Sequence, residues 1–156
     1  SGFLGKKMEI NRKVSIPLLY KNFEKYGTVD NFKIIADKKK GEITRRLATD
    51  SDLYKWIEAV SWDLQNFYDE KKEKFLDYLI NLIGKSQEKS GYLDTFYTGN
   101  YKKYRLKQLA GSHELDCGGH LIQSAIAHYR STGKNNFLNI AIKWANYICK
   151  NFGKGK

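Results

Sequence analysis

Two cysteines, Cys117 and Cys149, are too few to staple a disulfide scaffold, and the sequence does not show whether they pair. No apolar run approaches the ~20 residues that a membrane-spanning helix requires. No basic-then-apolar leader precedes a small-residue cleavage site. A leader removed earlier would leave the same sequence, so a bacterial cytoplasmic and a secreted or periplasmic location both stay open. Alternating runs bounded by hairpin turns are nearly absent, as are internal repeats and low-complexity tracts. Arginine is scarce: a net charge of +11 rests on 23 Lys against 5 Arg. Bidentate recognition of phosphates and bases favours arginine. The lysines are scattered, with Lys38-Lys39-Lys40 the only run of three and pairs such as Lys71-Lys72 elsewhere. Lysine, asparagine, isoleucine and tyrosine are abundant together, as an AT-rich coding bias produces. Neither a nucleic-acid nor a membrane partner is expected.

What is present looks globular. Hydrophobic residues make up 41% and charged residues 29% of 156 residues, enough for a modest core in one all-α domain. The first helix is expected from about Met8 to Tyr26, with the only proline, Pro17, either kinking it or opening a second helix in its first turn. Gly27 closes it, and a lysine-rich loop is expected from Thr28 to Thr49. Asp50-Ser51-Asp52 reads as a helix start, its short acceptors ready for the free N–H groups of the first turn. Leu53, Trp56, Ile57, Val60, Leu64 and Phe67 then recur at three and four residues, one apolar stripe, with Trp62 pointing away from it. The next helix carries Phe75, Leu76, Leu79, Ile80 and Ile83 and stops near Ser90-Gly91. A loop follows, GYLDTFYTGNYKKYR, with five aromatics in fifteen residues. Loops of this length without their own structure are usually functional or disordered, and this one is too aromatic for simple disorder. The last helix begins at Asn135-Asn136.

Between them lies GSHELDCGGHLIQSAIAHYR, Gly111 to Arg130, which holds all three histidines. At 100° per residue, Leu115, Ile122, Ile126 and Tyr129 fall together, with Leu121 and Ala125 at their edge. Opposite them lie His113, Cys117, His120, Ser124 and His128, within about 80°. Gly118 and Gly119 flank the aliphatic stripe, where a neighbouring helix could approach closely. Ser112 is the expected N-cap, Glu114 sits in the first turn, and Gly133 ends the helix. A solvent face would carry Lys, Glu and Gln, and a core face would not collect three imidazoles, so a face lining a polar cavity is expected. A metal reading is weak, because ligands at i and i+7 stand about 10 Å apart along the helix. A Cys117 nucleophile would sit mid-helix without an orienting partner, where thiols are usually inert packing groups.

Three segments together resemble the β-L-arabinofuranosidase family of bacterial glycoside hydrolases, glycoside hydrolase family 127 and its relatives. They are DSDLYKWIEA at Asp50–Ala59, SGYLDTFYT at Ser90–Thr98 and SHELDCGGHLIQSAIAHYRSTGK at Ser112–Lys134. The opening SGFLGKKMEINRKVSIP is similar to the start of that catalytic domain. The resemblance implies antiparallel helical hairpins forming part of an incomplete (α/α)6 toroid. Residues 1–156 would be the N-terminal portion of the catalytic domain. The two-faced helix would pack its aliphatic side on neighbours and turn its imidazoles toward a central sugar pocket. It places an arabinofuranose-type contact at His113, with Glu114 and His120 beside it. Asp116 stands where the family has tyrosine, and Ser90 where it has the aspartate before Gly91, so substrate choice would differ.

By the same resemblance, the catalytic glutamate, the zinc-bound cysteine nucleophile and the other zinc ligands belong to downstream segments. No catalytic residue, metal site or cofactor is then expected in this chain, zinc belonging only to the full-length enzyme. The chain is expected to supply sugar-pocket residues without turnover, and to self-associate through helix sides meant for missing neighbours. The alternative is a self-standing helical module that binds a sugar or an anion without catalysis.

Overall fold

The computed structural model describes residues 2–38, 40–44, 48–99 and 101–153. Every regular element among them is helical, and no helix is long and apolar enough to cross a membrane. The chain opens on a helical rod of three pieces: α1 (Phe3–Ile10), a π-helical segment (Asn11–Ser15) and α2 (Ile16–Lys25). The rod starts earlier than the expected Met8. Pro17 lies in the first turn of α2, directly after the π segment. The widened turn thus meets the proline where the regular N–H ladder would have lost a donor. Gly27, at φ +78°, reverses the chain.

The lysine-rich stretch after Gly27 is not the loop its composition suggested. Thr28–Asp37 forms α3, which buries Val29 and Phe32 completely and ends at Lys38 in the left-handed region. Only Lys33 lies within the helix, and Lys38 to Lys40 follow it, so composition averaged over the whole stretch pointed the wrong way. Of the lysine cluster, Lys39 lies outside the described residues.

The long helix α4 (Thr49–Asn66) buries Leu53, Trp56, Ile57, Val60 and Leu64 as its spacing predicts, but leaves Phe67 exposed just beyond its end. Trp62 is half-buried, its indole N–H reaching Glu58 at 3.4 Å. After a short turn, α5 (Glu70–Ser86) begins with a cap in which Asp69 accepts from the N–H groups of Lys71 and Lys72. It ends at Ser86, four residues before the expected stop, where Ser86 Oγ donates to the carbonyls of Phe32 and Leu82.

The aromatic loop is ordered, with two short helical turns, α6 (Thr95–Thr98) and a 3-10 turn (Lys102–Tyr104). Then come α7 (Leu109–Ser112), α8 (Glu114–Thr132) and α9 (Asn136–Asn151). Connections of three residues between α4 and α5, and between α8 and α9, bring each pair back on itself as a hairpin. Helix α8 packs chiefly on α4 and α9, and α3 on α5. Trp144, Tyr54, Tyr92, Phe32 and Phe137 are the largest fully buried rings of the shared core.

Burial on α8 divides both faces of its helical wheel: Leu121 joins the buried residues from the aliphatic edge and Ile122 packs partly on the core, while His113 and His120 stay accessible on the imidazole side. Cys117, Gly118, Ser124, Ala125, Ala127 and His128 are buried, whereas Leu115, Ile126 and Tyr129 are exposed. Close approach of two helices requires small side chains at the contact, and the small face of α8 supplies them. Gly118 is the extreme case: a Cβ there would stand 1.8 Å from the indole nitrogen of Trp144, while at Gly119 it would meet nothing within 4 Å.

His128 belongs to this buried face. Neither ring nitrogen has a hydrogen-bond partner, and the ring meets Phe137 edge-on. Burial holds its pKa below the ordinary imidazole value, and outweighs the opposing pull of the Asp77 carboxylate; Lys134 and Glu73 also face it. The unfolded chain therefore binds a proton that the folded chain refuses. That contribution to stability is intact above about pH 6.5 and is lost as pH falls below it. Replacing His128 by Leu is expected to remove about 1 kcal/mol of the acid-induced loss between pH 7.5 and 5.5, read as the change in urea-unfolding free energy. Equal losses in both chains would refute a neutral, buried imidazole.

Candidate functional site

Three segments that lie far apart in sequence interlock at the N-terminal ends of α4 and α8. Asp50 does not cap α4: the N-cap position is Ala48, and no side chain caps that end. Its carboxylate instead accepts from the backbone N–H of Thr95 at 2.7 Å and from Thr95 Oγ1 at 2.6 Å. Asp94 caps the short α6 by accepting from the N–H of Tyr97. Glu114, with no exposed surface, accepts from Tyr92 Oη at 2.6 Å and from the N–H of Leu106 at 2.9 Å. The spacing of Asp50, of Asp94-Thr95 and of Glu114 along the chain is thus the spacing of one three-way lock.

The lock has a second half. Arg105 donates to both oxygens of Glu88 at 2.6 and 2.9 Å and to the carbonyl of Tyr97. Its guanidinium lies 3.9 Å from the centre of the Tyr92 ring. A bidentate, partly buried pair of this kind is geometrically specific as well as attractive. The Arg105 guanidinium holds the Glu88 carboxyl below the ordinary carboxylate value. Gly91, at φ +94°, passes so close to α9 that a Cβ would stand 2.4 Å from the carbonyl oxygen of Lys143. Only glycine permits both that backbone angle and that approach.

Burial dominates the electrostatics under the lock. It raises Asp50 to about 6, against the two Thr95 hydrogen bonds that favour the charged form. Burial raises Asp94 well above the ordinary carboxylate value too, with the Asp50 charge adding to the effect. Backbone N–H groups of Tyr97 and Phe96 oppose that rise on Asp94, as the Thr95 donors do on Asp50. The Cys117 thiol is likewise pushed up, first by burial and then by those two carboxylates.

Above this layer lies the open part of the site. His113 occupies the junction of α7 and α8 at φ +57°, an uncommon angle for a residue with a Cβ. Ser112 is therefore the last residue of α7, buried, and not the N-cap of α8. The kink lifts the His113 side chain half into solvent. Its Nδ1 lies 3.9 Å from Asp116 Oδ2, and His120 Nε2 lies 3.8 Å from Asp116 Oδ1. Asp116 thus stands between two imidazoles on one accessible strip, at distances longer than direct hydrogen bonds. His128, two turns further, is in the core and apart from them.

Of the three contact residues suggested by the sequence, His113 and His120 therefore share this strip, and Glu114 lies beneath it holding the loop. Asp50, Tyr92 and Arg105 were not singled out for the site. The signal available was that Asp50 and Tyr92 belong to resembling segments and that Arg105 closes the fifteen-residue aromatic loop. Among the described residues, no group of three or more His, Cys, Asp or Glu side chains is arranged to hold a metal ion. Cys117 is buried with its thiol pushed up, which disfavours the thiolate that zinc requires, and Cys149 is exposed on α9.

Comparisons with known proteins identify the family and the fold. The family described as beta-L-arabinofuranosidase, GH127 catalytic domain, matches residues 1–156. A non-reducing end beta-L-arabinofuranosidase from Bifidobacterium longum subsp. longum is 33% identical over 133 residues, which is 83% of this chain and 20% of that protein. The crystal structure of a family 127 beta-L-arabinofuranosidase from Geobacillus stearothermophilus superposes with a TM-score of 0.96 at 36% identity, covering 99% of this chain and 26% of that one. A second solved beta-arabinofuranosidase of the family superposes with a TM-score of 0.91, also at 36% identity, covering 98% and 26%. The chain thus spans a fifth of the curated relative and about a quarter of each solved one. Its helices form part of an (α/α)6 toroid, and the chain belongs to the glycoside hydrolase family 127 catalytic domains.

Proposed function

We propose that this chain is the N-terminal portion of a β-L-arabinofuranosidase-type catalytic domain and supplies one wall of its sugar pocket. His113 and His120 contact the sugar hydroxyls, and Asp116 between them adds an acceptor where the family carries tyrosine. Glu114 acts behind them, keeping the aromatic loop and the start of α8 in register. The acid/base carboxylate, the cysteine nucleophile and their zinc belong to other segments of the enzyme, so this chain alone does not turn over.

The observation that carries the reading is His113 itself. A left-handed angle at a junction between helices is retained at a cost of about 1–3 kcal/mol, and its visible consequence is an imidazole presented beside Asp116 and His120. The exposed apolar surface supports the fragment over a self-standing module. Leu115, Ile126 and Tyr129 on α8, and Phe3, Leu4, Met8, Val14, Leu18 and Leu19 along the opening rod, are exposed on two separate faces. Toroid neighbours would cover such faces; in their absence the chain should self-associate.

The test is binding together with turnover. In NMR titrations, L-arabinose is expected to shift the His113 and His120 ring signals, and His113→Ala to weaken that binding at least tenfold with the fold unchanged. No release from an aryl β-L-arabinofuranoside is expected at any enzyme concentration. Turnover by the chain alone would overturn the division of labour, and unchanged affinity in the His113 variant would remove the histidine from the sugar.

A further inference from the structure

The aromatic loop is locked far more firmly than the contacts at His113 require, and it presents rings on its other flank. Phe96 and Tyr101 stack with centroids 4.5 Å apart and planes 14° from parallel. Phe96 is half-buried and covers one face of Tyr101, which remains exposed. Tyr104 follows at 6.5 Å, tilted by 38° and also exposed. These rings are not loose surface groups: Asp50, Glu88 and Glu114 fix the backbone that carries them through Thr95, Arg105 and Leu106.

Beside the stack lies a cleft of about 370 Å³ between α3 and the loop, lined by Ile34, Gly41, Glu42, Ile43, Phe96 and Tyr101 among others. Its floor is close-packed: a Cβ on Gly41 would stand 2.6 Å from the Ile34 side chain. The volume falls within the range of small-molecule sites, roughly 300–1,000 Å³, and the mixture of aromatic wall, small residues and one carboxylate is the mixture such sites use.

We infer that this cleft is a second saccharide site, which takes a neutral sugar ring of an oligosaccharide against Tyr101. The inference rests on the carbohydrate reading of His113 and His120 given above. A furanose or pyranose ring has one face of C–H bonds and an edge of hydroxyls. The held Tyr101 ring matches the first, and the polar backbone of the lining at Gly41 and Gly99 matches the second. A strongly anionic ligand fits less well, because the one charged group in the lining is a carboxylate.

The experiment is a ¹H–¹⁵N NMR titration of the chain with L-arabinose and with a linear, neutral arabinotriose. The trisaccharide is expected to shift Gly99, Tyr101 and Ile43 in addition to the His113 region, and the monosaccharide the His113 region alone. Tyr101→Ala should weaken the trisaccharide about tenfold, Tyr104→Ala less, and Tyr101→Phe hardly at all, with L-arabinose binding unchanged throughout. Trisaccharide shifts confined to His113 and His120, or an affinity for Tyr101→Ala within twofold of the parent, would overturn the second site alone. Shifts in the cleft without any at His113 would overturn the histidine contacts alone. Silence with both sugars would overturn both.

Discussion

Gly118→Ala is expected to lower the unfolding free energy by about 3 kcal/mol, although alanine is the better helix former by up to ~1 kcal/mol. The added methyl would stand 1.8 Å from Trp144 Nε1 and 2.4 Å from its Cε2. Trp144 is itself 1% exposed, stacked on Tyr147 and edge-to-face with Tyr92, so the indole cannot swing aside without opening the core. The neighbouring Gly119→Ala supplies the control. Its methyl meets nothing within 4 Å, so the helix-propensity gain is uncompensated and stability should rise by up to ~1 kcal/mol. Urea unfolding of the two variants measures both. Opposite signs at adjacent positions are a sharp expectation, and equal effects would mean that α8 and α9 do not pack as described.

Glu114→Ala should cost about the same, roughly 3 kcal/mol, for a different reason. It leaves Tyr92 Oη and the Leu106 N–H buried without their acceptor, and each such loss costs about 1–3 kcal/mol. Tyr92 has no exposed surface, so water does not replace the carboxylate there without repacking. The damage should be local as well as global. With that anchor gone the segment 99–108 is held by Arg105 and Glu88, and limited proteolysis should cut it faster than in the parent chain. Glu114→Gln, which keeps one acceptor oxygen and the shape, should fall between. A Glu114→Gln chain that stays fully folded with an intact loop yet loses L-arabinose would put the carboxylate on the sugar and not behind it.

Both substitutions bear on how much was legible in the sequence. The all-α class, the stripe of α4 from Leu53 to Leu64, and the ends of α8 at Gly133 and α9 at Asn136 follow from periodicity and turn chemistry, and the structure has them. The helix α3 escapes a sequence reading because its two buried anchors, Val29 and Phe32, precede a run of three lysines at 38–40, and a ten-residue helix carries little periodic signal. Asp50 was misread for a related reason. An aspartate at a helix start has two uses, capping its own helix or bonding another segment, and only the partner's position distinguishes them.

The face of α8 shows the same division. Its residue types and spacing alone determined which side chains share a side, because an α-helix has one geometry. They did not determine which side is buried. Three imidazoles suggested an inward polar face, yet they part company: His128 is sealed against Phe137, His120 lies at the boundary and His113 is lifted outward by the kink at its own residue. Burial is a property of the neighbouring helix, and the demand of α4 and α9 for small side chains at close approach overrides the hydrophobicity of Leu115, Ile126 and Tyr129. Local rules act within a few residues and can be read from a chain. The lock of Asp50, Tyr92, Arg105 and Glu114 spans 65 positions from first to last, and such contacts exist only once packing has brought their partners together.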